Sequence, residues 1–391
     1  MMTSAALWKL PAALANSNSA AAAGKAMAEL GVAACIGAGC VQQELLNRPV
    51  VSALSKTTFG ILLPMFLGTS IMRTVARYGL SKSSLAGPLL GVLQPFLLYQ
   101  LAKLVLVPLC GIDKDSDDGR CTAVCSAWGN SSVVPLIFCE SLFRNSPEYL
   151  AKSYANVSLF LVGWSPFFWS YGRAALVGKD ESNTNSSNDA TLLQKLKPLF
   201  PPPVIGTSIG LLLALWTPVR DLFMGGPLQT IYNSFATFGG AASPLSLLVL
   251  ISSLALNIGI RPKSQPKEEV IVIPTKVESD IENSNRASFV KQFICVSLSR
   301  FILSPLLMVG LLKGFQKIGL VSGPQQAPML WFIAILQGSM PSAQNSVLML
   351  QVSNKPEQAG VMAKFLFFIY AASMIPLVAI ISVALQRFGL A

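Results

Sequence analysis

The residues in this chain best suited to chemistry on a small charged ligand are amides and hydroxyls, and they cluster at two interruptions of apolar sequence. CTAVCSAWGNSSVVPLIFCE, residues 121–140, holds Asn130, Ser131 and Ser132 just before Pro135. WFIAILQGSMPSAQNSVLMLQV, residues 331–352, holds Pro341, Ser342, Gln344 and Asn345. Proline removes a backbone donor and clashes with the preceding turn, so neither stretch is expected to run as one unbroken helix. In hydrocarbon every freed N–H or C=O needs a protein, water or ligand partner, which restricts broken helices to places where they line a cavity. Half-helix N-termini there attract an anion, and amides and hydroxyls hold a carboxylate without the cost of a buried charge. Asn130, Ser131, Ser132, Ser342, Gln344 and Asn345 are therefore the expected substrate contacts, with Pro135 and Pro341 creating the breaks. The competing reading is that these side chains satisfy the exposed backbone ends themselves.

Three charged residues also fall in or beside apolar sequence, where a charge is costly and is usually paired or functional. Lys103 stands five residues before Pro108, and Arg300 five before Pro305. Each could bind an anion, or serve as scaffold through carbonyl contacts or by snorkelling. Glu140 could carry a proton, or simply sit at the interface beside Arg144.

The elements that must position these groups follow from composition. The 391 residues are 52% hydrophobic and only 12% charged, with mean hydropathy +0.56, which makes this a polytopic, all-α membrane protein. A net charge of +11 would suit nucleic acid, but the basic residues lie in short loops between apolar spans, so the lipid bilayer is the expected partner. Apolar spans read at about 28–41, 56–76, 87–110, 121–143, 149–176, 199–218, 228–258, 288–312, 327–352 and 362–386, ten in all. Residues 1–27, rich in Ala and Ser, read as a disordered N-terminus or a transit peptide. Residues 177–197 and the charged loop 261–286 read as flexible linkers.

Landmarks recur in one order. Phe59-Gly60 before Pro64 is answered by Phe238-Gly239 before Pro244, Lys103 before Pro108 by Arg300 before Pro305, and Pro135 by Pro341. The chain thus reads as two five-helix repeats, 28–176 and 198–391, with broken fourth and ninth helices. An odd number of spans per repeat inverts one against the other in the membrane, the symmetry that alternating access requires. Loop Lys and Arg favour both termini on the non-cytosolic side. Ten spans suit a monomer or a homodimer.

Several chemistries are excluded. With no histidine and no paired CxxC, neither a zinc site nor a histidine-based triad is available, and no GxxxxGK[ST] supports direct ATP drive. DKDSDDGRC, from Asp113, fails as a calcium loop because its glycine falls at the seventh place and Val124 at the twelfth. No metal, cofactor or enzymatic activity is expected.

CSAWGNSSVVPLIFCESLFRNSPEYLAKSYANVSLF resembles the fourth and fifth spans of PIN-LIKES proteins, within the auxin efflux carrier family, where a Gly-Asn motif leads to proline and then to a Tyr-x-x-x-Ser run. SRFILSPLLMVGLL resembles that family's Arg-x-x-x-x-Pro eighth span, and LQGSMPSAQNSVLMLQV its ninth, with Pro341 and Asn345 at family-like places. The resemblance covers roughly residues 30–391. It implies a carrier for indole-3-acetate or a similar small organic acid, with a scaffold and a transport portion, in the endoplasmic reticulum rather than the plasma membrane, and it adds Tyr154 as a residue facing the site. The chain departs from the family at Ser132-Val133-Val134, where a second Gly-Asn is usual. Two alternatives share these observations: a sodium- or proton-coupled symporter of the same architecture, and a membrane receptor that binds such a ligand without moving it.

Overall fold

The computed structural model describes residues 17–79, 83–178, 201–258 and 276–390, so most of the expected linker 177–197 and of the loop 261–286 lies outside it. Among the described residues the secondary structure is helical, with a single isolated β-bridge. In order the helices are α1 (Ser17–Gln42), α2 (48–78), α3 (Ser83–Leu109), α4 (Asp117–Ala127), α5 (Val133–Phe143), α6 (147–177), α7 (Pro202–Leu215), α8 (Thr217–Met224), α9 (Gln229–Gly240), α10 (Ala242–Ile258), α11 (276–317), α12 (Pro328–Ser339), α13 (Asn345–Val352) and α14 (Pro356–Phe388). Residues 17–27, expected to be disordered, are instead the first turns of α1.

Five helices among the described residues are long and apolar enough to cross a membrane: Arg48–Arg77, Ser83–Leu109, Gln229–Ser253, Ala287–Lys317 and Pro356–Phe388. A sixth is counted if α7 and α8, bent by 104°, form one span. The sequence led to an expectation of about ten. Part of the shortfall has a physical source, since the two expected spans broken near Pro135 and Pro341 are each divided into helices too short to span alone, among them the apolar segments Val134–Phe143 and Pro328–Ser339, whereas α1 and α6 are continuous helices that fall outside the five.

Local signals set the helix ends. The Asn47 side chain accepts from the Val50 N–H at 3.1 Å to open α2, and Ser116 accepts from Gly119 at 3.0 Å to open α4. Gly79 at φ 66° and Gly389 at φ 65° close α2 and α14, a backbone conformation that favours glycine. Inside α2, α3 and α11 lie π-helical turns at Thr58–Leu62, Ala102–Leu106 and Ser299–Leu303, each two residues ahead of a proline, Pro64, Pro108 and Pro305. Proline cannot donate to the carbonyl four residues back, so the helix widens. The residue before each proline then reaches five back, Leu63 to Thr58, Val107 to Ala102 and Ser304 to Ser299. Lys103 and Arg300 hold the second place of their turns.

Small residues allow close helix contact. A side chain at Gly91 or Gly163 would strike the backbone of the facing helix, locking α3 to α6, and Gly206 and Gly210 do the same for α7 against Pro64 and Gly68 of α2. Two apolar clusters result. A large one runs through most of the chain, and a small separate one joins Ile71, Met72 and Val75 of α2 to Ala214 and Tyr232.

Candidate functional site

The two interruptions meet. Between α4 and α5 the chain is extended at Trp128–Asn130, and between α12 and α13 at Met340–Ser342, where Gly129 and Ser342 form an antiparallel bridge. The Asn130 N–H donates to the Pro341 carbonyl at 2.7 Å, and the Ala343 N–H to the Trp128 carbonyl at 2.9 Å. Backbone groups freed by each break are thus satisfied by the other. Trp128 is fully buried and anchors the first break among Tyr99, Phe167, Phe168 and Tyr171, with ring centroids 5.4–6.2 Å away.

Four half-helix ends converge here. The C-terminal carbonyls of α4 and α12 are met by Arg300, which is fully buried. Its Nε and one Nη donate to the Met340 carbonyl at 2.9 and 2.6 Å, and the other Nη to the Ala127 carbonyl at 3.1 Å. A cation at two helix C-termini is the electrostatically favoured arrangement. Of the two readings for Arg300, carbonyl scaffolding matches this geometry. Hydroxyls assist: Ser342 donates to the Cys125 carbonyl at 2.7 Å, Ser299 to Ser126 at 3.1 Å, and Ser304 to Gly338 at 2.5 Å, while Gln94 donates to the Ser304 hydroxyl at 2.7 Å. The Ser342 proton is therefore committed to a backbone end.

The N-termini of α5 and α13 are treated differently. Neither Ser132 nor Gln344, at their N-cap positions, makes a side-chain capping bond, in contrast to Asn47 and Ser116. Gln344 and Asn345 are buried, and both polar atoms of Gln344, Asn345 Oδ1, Ser346 Oγ and Gln337 Oε1 find no partner among the described residues. Such groups carry a desolvation cost unless a ligand or water meets them. Gln337 spans the breaks by donating Nε2 to the Ser131 carbonyl at 3.0 Å, and the Ser131 hydroxyl leans on the Gly129 carbonyl at 3.3 Å. Asn130 donates Nδ2 to the Tyr370 hydroxyl of α14 at 2.7 Å.

Pro135 lies in the first turn of α5, where a missing N–H costs nothing, and Pro341 lies inside the second break. Other expected residues stand apart. Lys103 is half-buried, flanked by exposed Leu104 and Val105, with no bonded partner among the described residues, so the matching π turn of α3 does not serve the crossing. Glu140 is exposed and lies 3.9 Å from Arg144, matching the interfacial reading rather than a buried proton carrier.

Glu140 and half-buried Tyr154 instead line a cavity of about 690 Å³ between α2, α5, α6, α9 and α10. Exposed Arg73 and Arg77 of α2 face it, together with Ser70, Thr74 and Ser158. Arg73 donates to the Tyr232 hydroxyl at 3.1 Å and lies over that ring, 6.0 Å from its centroid. Sequence reading missed Arg73, Arg77, Gln337 and Tyr370. No local pattern singles out the two arginines, and the partners of Gln337 and Tyr370 lie 206 and 240 residues away.

Long apolar helices, two meeting breaks and a polar buried junction define an integral membrane transport protein. The chain belongs to the membrane transport protein family, whose profile matches residues 23–381. Among its relatives are three PIN-LIKES proteins of Arabidopsis thaliana. It is 25% identical to PIN-LIKES 3 over 348 residues, covering 77% of this chain and 81% of that protein. It is 30% identical to PIN-LIKES 4 over 149 residues, 38% of this chain and 30% of the relative, and 25% identical to PIN-LIKES 7 over 179 residues, 45% of this chain and 38% of the relative. The match therefore spans less than two thirds of PIN-LIKES 4 and 7. The kinship expected from the Gly-Asn, Arg-x-x-x-x-Pro and ninth-span motifs is established, and the family is one of transporters rather than enzymes.

Proposed function

We propose that the protein is a secondary carrier of a small organic anion, auxin-like by family, that binds the anion between the N-termini of α5 and α13 and moves it by alternating access in an internal membrane. The observation that carries this reading is the pair of half-helix N-termini without side-chain caps, set beside the buried Gln344 amide, whose Nε2 and Oε1 both lack partners among the described residues. Asn130, Ser131 and Ser132 supply the opposing wall. Positive helix ends and amide N–H groups stabilise a carboxylate, and the arginines of the cavity raise its local concentration.

The architecture we assign is ten crossings in two inverted halves, with α4/α5 and α12/α13 each forming one broken crossing. Two cavities support it. The larger lies at the Arg73–Arg77 end of α2 and reaches the start of α6 at Pro147. A second, of about 410 Å³, lies at the opposite end of α2 beside Arg48 and reaches the start of α14 at Pro356, with Ser253 of α10 and Gln351 of α13 in its wall. Exchanging the halves exchanges the two, as expected for mouths on opposite faces. An anion leaving a negative compartment gains about 2.3 kcal/mol per 100 mV, enough to drive uniport.

Uptake of labelled indole-3-acetate into proteoliposomes, with and without an imposed potential, tests the proposal. Saturable, potential-sensitive flux that Asn130→Ala reduces at least about tenfold is expected, because that change leaves buried groups unpaired. Saturable binding without flux would favour the receptor reading. Neither binding nor flux of this acid would remove auxin as the substrate.

A further inference from the structure

Arg300 has an electrostatic role that its hydrogen bonds alone do not describe. Where two half-helix C-termini face one another, their carbonyls form an oxygen-lined position suited to a cation. Here that position is filled from within: three guanidinium contacts reach the Met340 and Ala127 carbonyls, and Arg300 is fully buried. No carboxylate among the described residues lies within ion-pair distance of it. The space is also closed to enlargement, since a side chain at Gly129 would collide with the guanidinium and with the Met340 carbonyl. The partial charges of two helix N-termini and two C-termini roughly cancel, so the guanidinium leaves the empty crossing with a net positive charge of about one.

We propose that Arg300 is the built-in counter-ion of the substrate site, standing where a co-transported cation would otherwise sit, so that the carrier is loaded by the anion alone. This rests on the carrier reading above and decides its coupling: sodium and other alkali cations are not transported with the substrate. Lys103, at the corresponding place in α3, has no such contacts, so one fixed charge serves both breaks.

The test uses the full chain in proteoliposomes with labelled indole-3-acetate, the membrane potential clamped, and external sodium, potassium or choline as the chloride salts. Initial rates are expected to agree within about twofold across the three cations, since screening differs little at equal ionic strength. Arg300→Ala should lose flux by about tenfold or more, because two carbonyl ends lose their donors. Millimolar guanidinium should restore much of it, whereas urea, a neutral planar donor of similar shape, should not. Wild-type flux that collapses in choline or potassium would overturn the inference while leaving the carrier reading intact. Equal rescue by urea would also overturn it, reducing Arg300 to a hydrogen-bond donor. Should Arg300→Ala fail to fold, the wild-type cation series still decides. Absence of wild-type flux for this acid and for a panel of other small organic acids would overturn the carrier reading, and this inference with it.

Discussion

One hydrogen bond ties α14, already packed against α12 and α13, to the first break. Asn130 Nδ2 donates to the Tyr370 hydroxyl, which retains its own proton for a ligand. Tyr370→Phe removes that acceptor and that donor while keeping the ring. The expected result is a roughly fivefold rise in KM for the transported anion, about 1 kcal/mol, with a loss of about 1–2 kcal/mol in thermal stability because the buried Asn130 amide loses its acceptor. Transport assays paired with melting curves in detergent check both halves of this statement. Gln344→Leu makes the opposite comparison. Both of its polar atoms lack partners among the described residues, so an apolar side chain of similar size should maintain or raise stability while lowering flux, the signature of a group kept for a ligand.

At the level of elements, the prolines do more than interrupt helices. Pro305 widens the turn Ser299–Leu303, and that widening points Arg300 at the crossing. Pro305→Ala returns an N–H and lets the turn relax to an ordinary α-helix, swinging Arg300 by about 100° about the helix axis. Flux should fall about tenfold or more, since the carbonyl ends lose their donor, while the protein remains folded. Pro108→Ala in α3 should have a much smaller effect, because Lys103 serves no carbonyl at the breaks. The two substitutions together separate a general helix effect from a directed one. Close packing belongs to the same scale. A valine at Gly91 would drive Cβ into the Phe160 carbonyl of α6, and a loss of about 2–3 kcal/mol in stability is expected on thermal unfolding, from overpacking against a rigid backbone.

For the molecule as a whole, the carrier proposed above would present arginines in series to an anion. Arg73 and Arg77 stand at one cavity, Arg300 at the centre and Arg48 at the opposite cavity. Arg73→Gln and Arg77→Gln should each lower kcat/KM for an anionic substrate by about threefold or more, with a shallower dependence on ionic strength than wild type, as expected for groups that steer encounter. Rates measured from low to physiological salt test this; an unchanged salt slope would place the two arginines outside the path. The small α2–α7–α9 core, separate from the main cluster, is consistent with one bundle sliding against another.

Much of this was legible locally. Long apolar runs, two breaks and the charges set five residues before a proline are properties of short windows, because hydrophobicity and a missing N–H act on immediate neighbours. The amino-acid sequence by itself therefore determined a helical membrane transport protein with interruptions within residues 121–140 and 331–352, and the structure set them at 128–132 and 340–344. Which break meets which, that Arg300 serves them while Lys103 does not, that Glu140 stays at the surface beside Arg144, and that Tyr370 and Gln337 join the site were decided only by tertiary packing. Those contacts join residues up to 240 positions apart, and hydrogen bonds over such separations depend on which helix faces are pressed together. No local pattern records that choice.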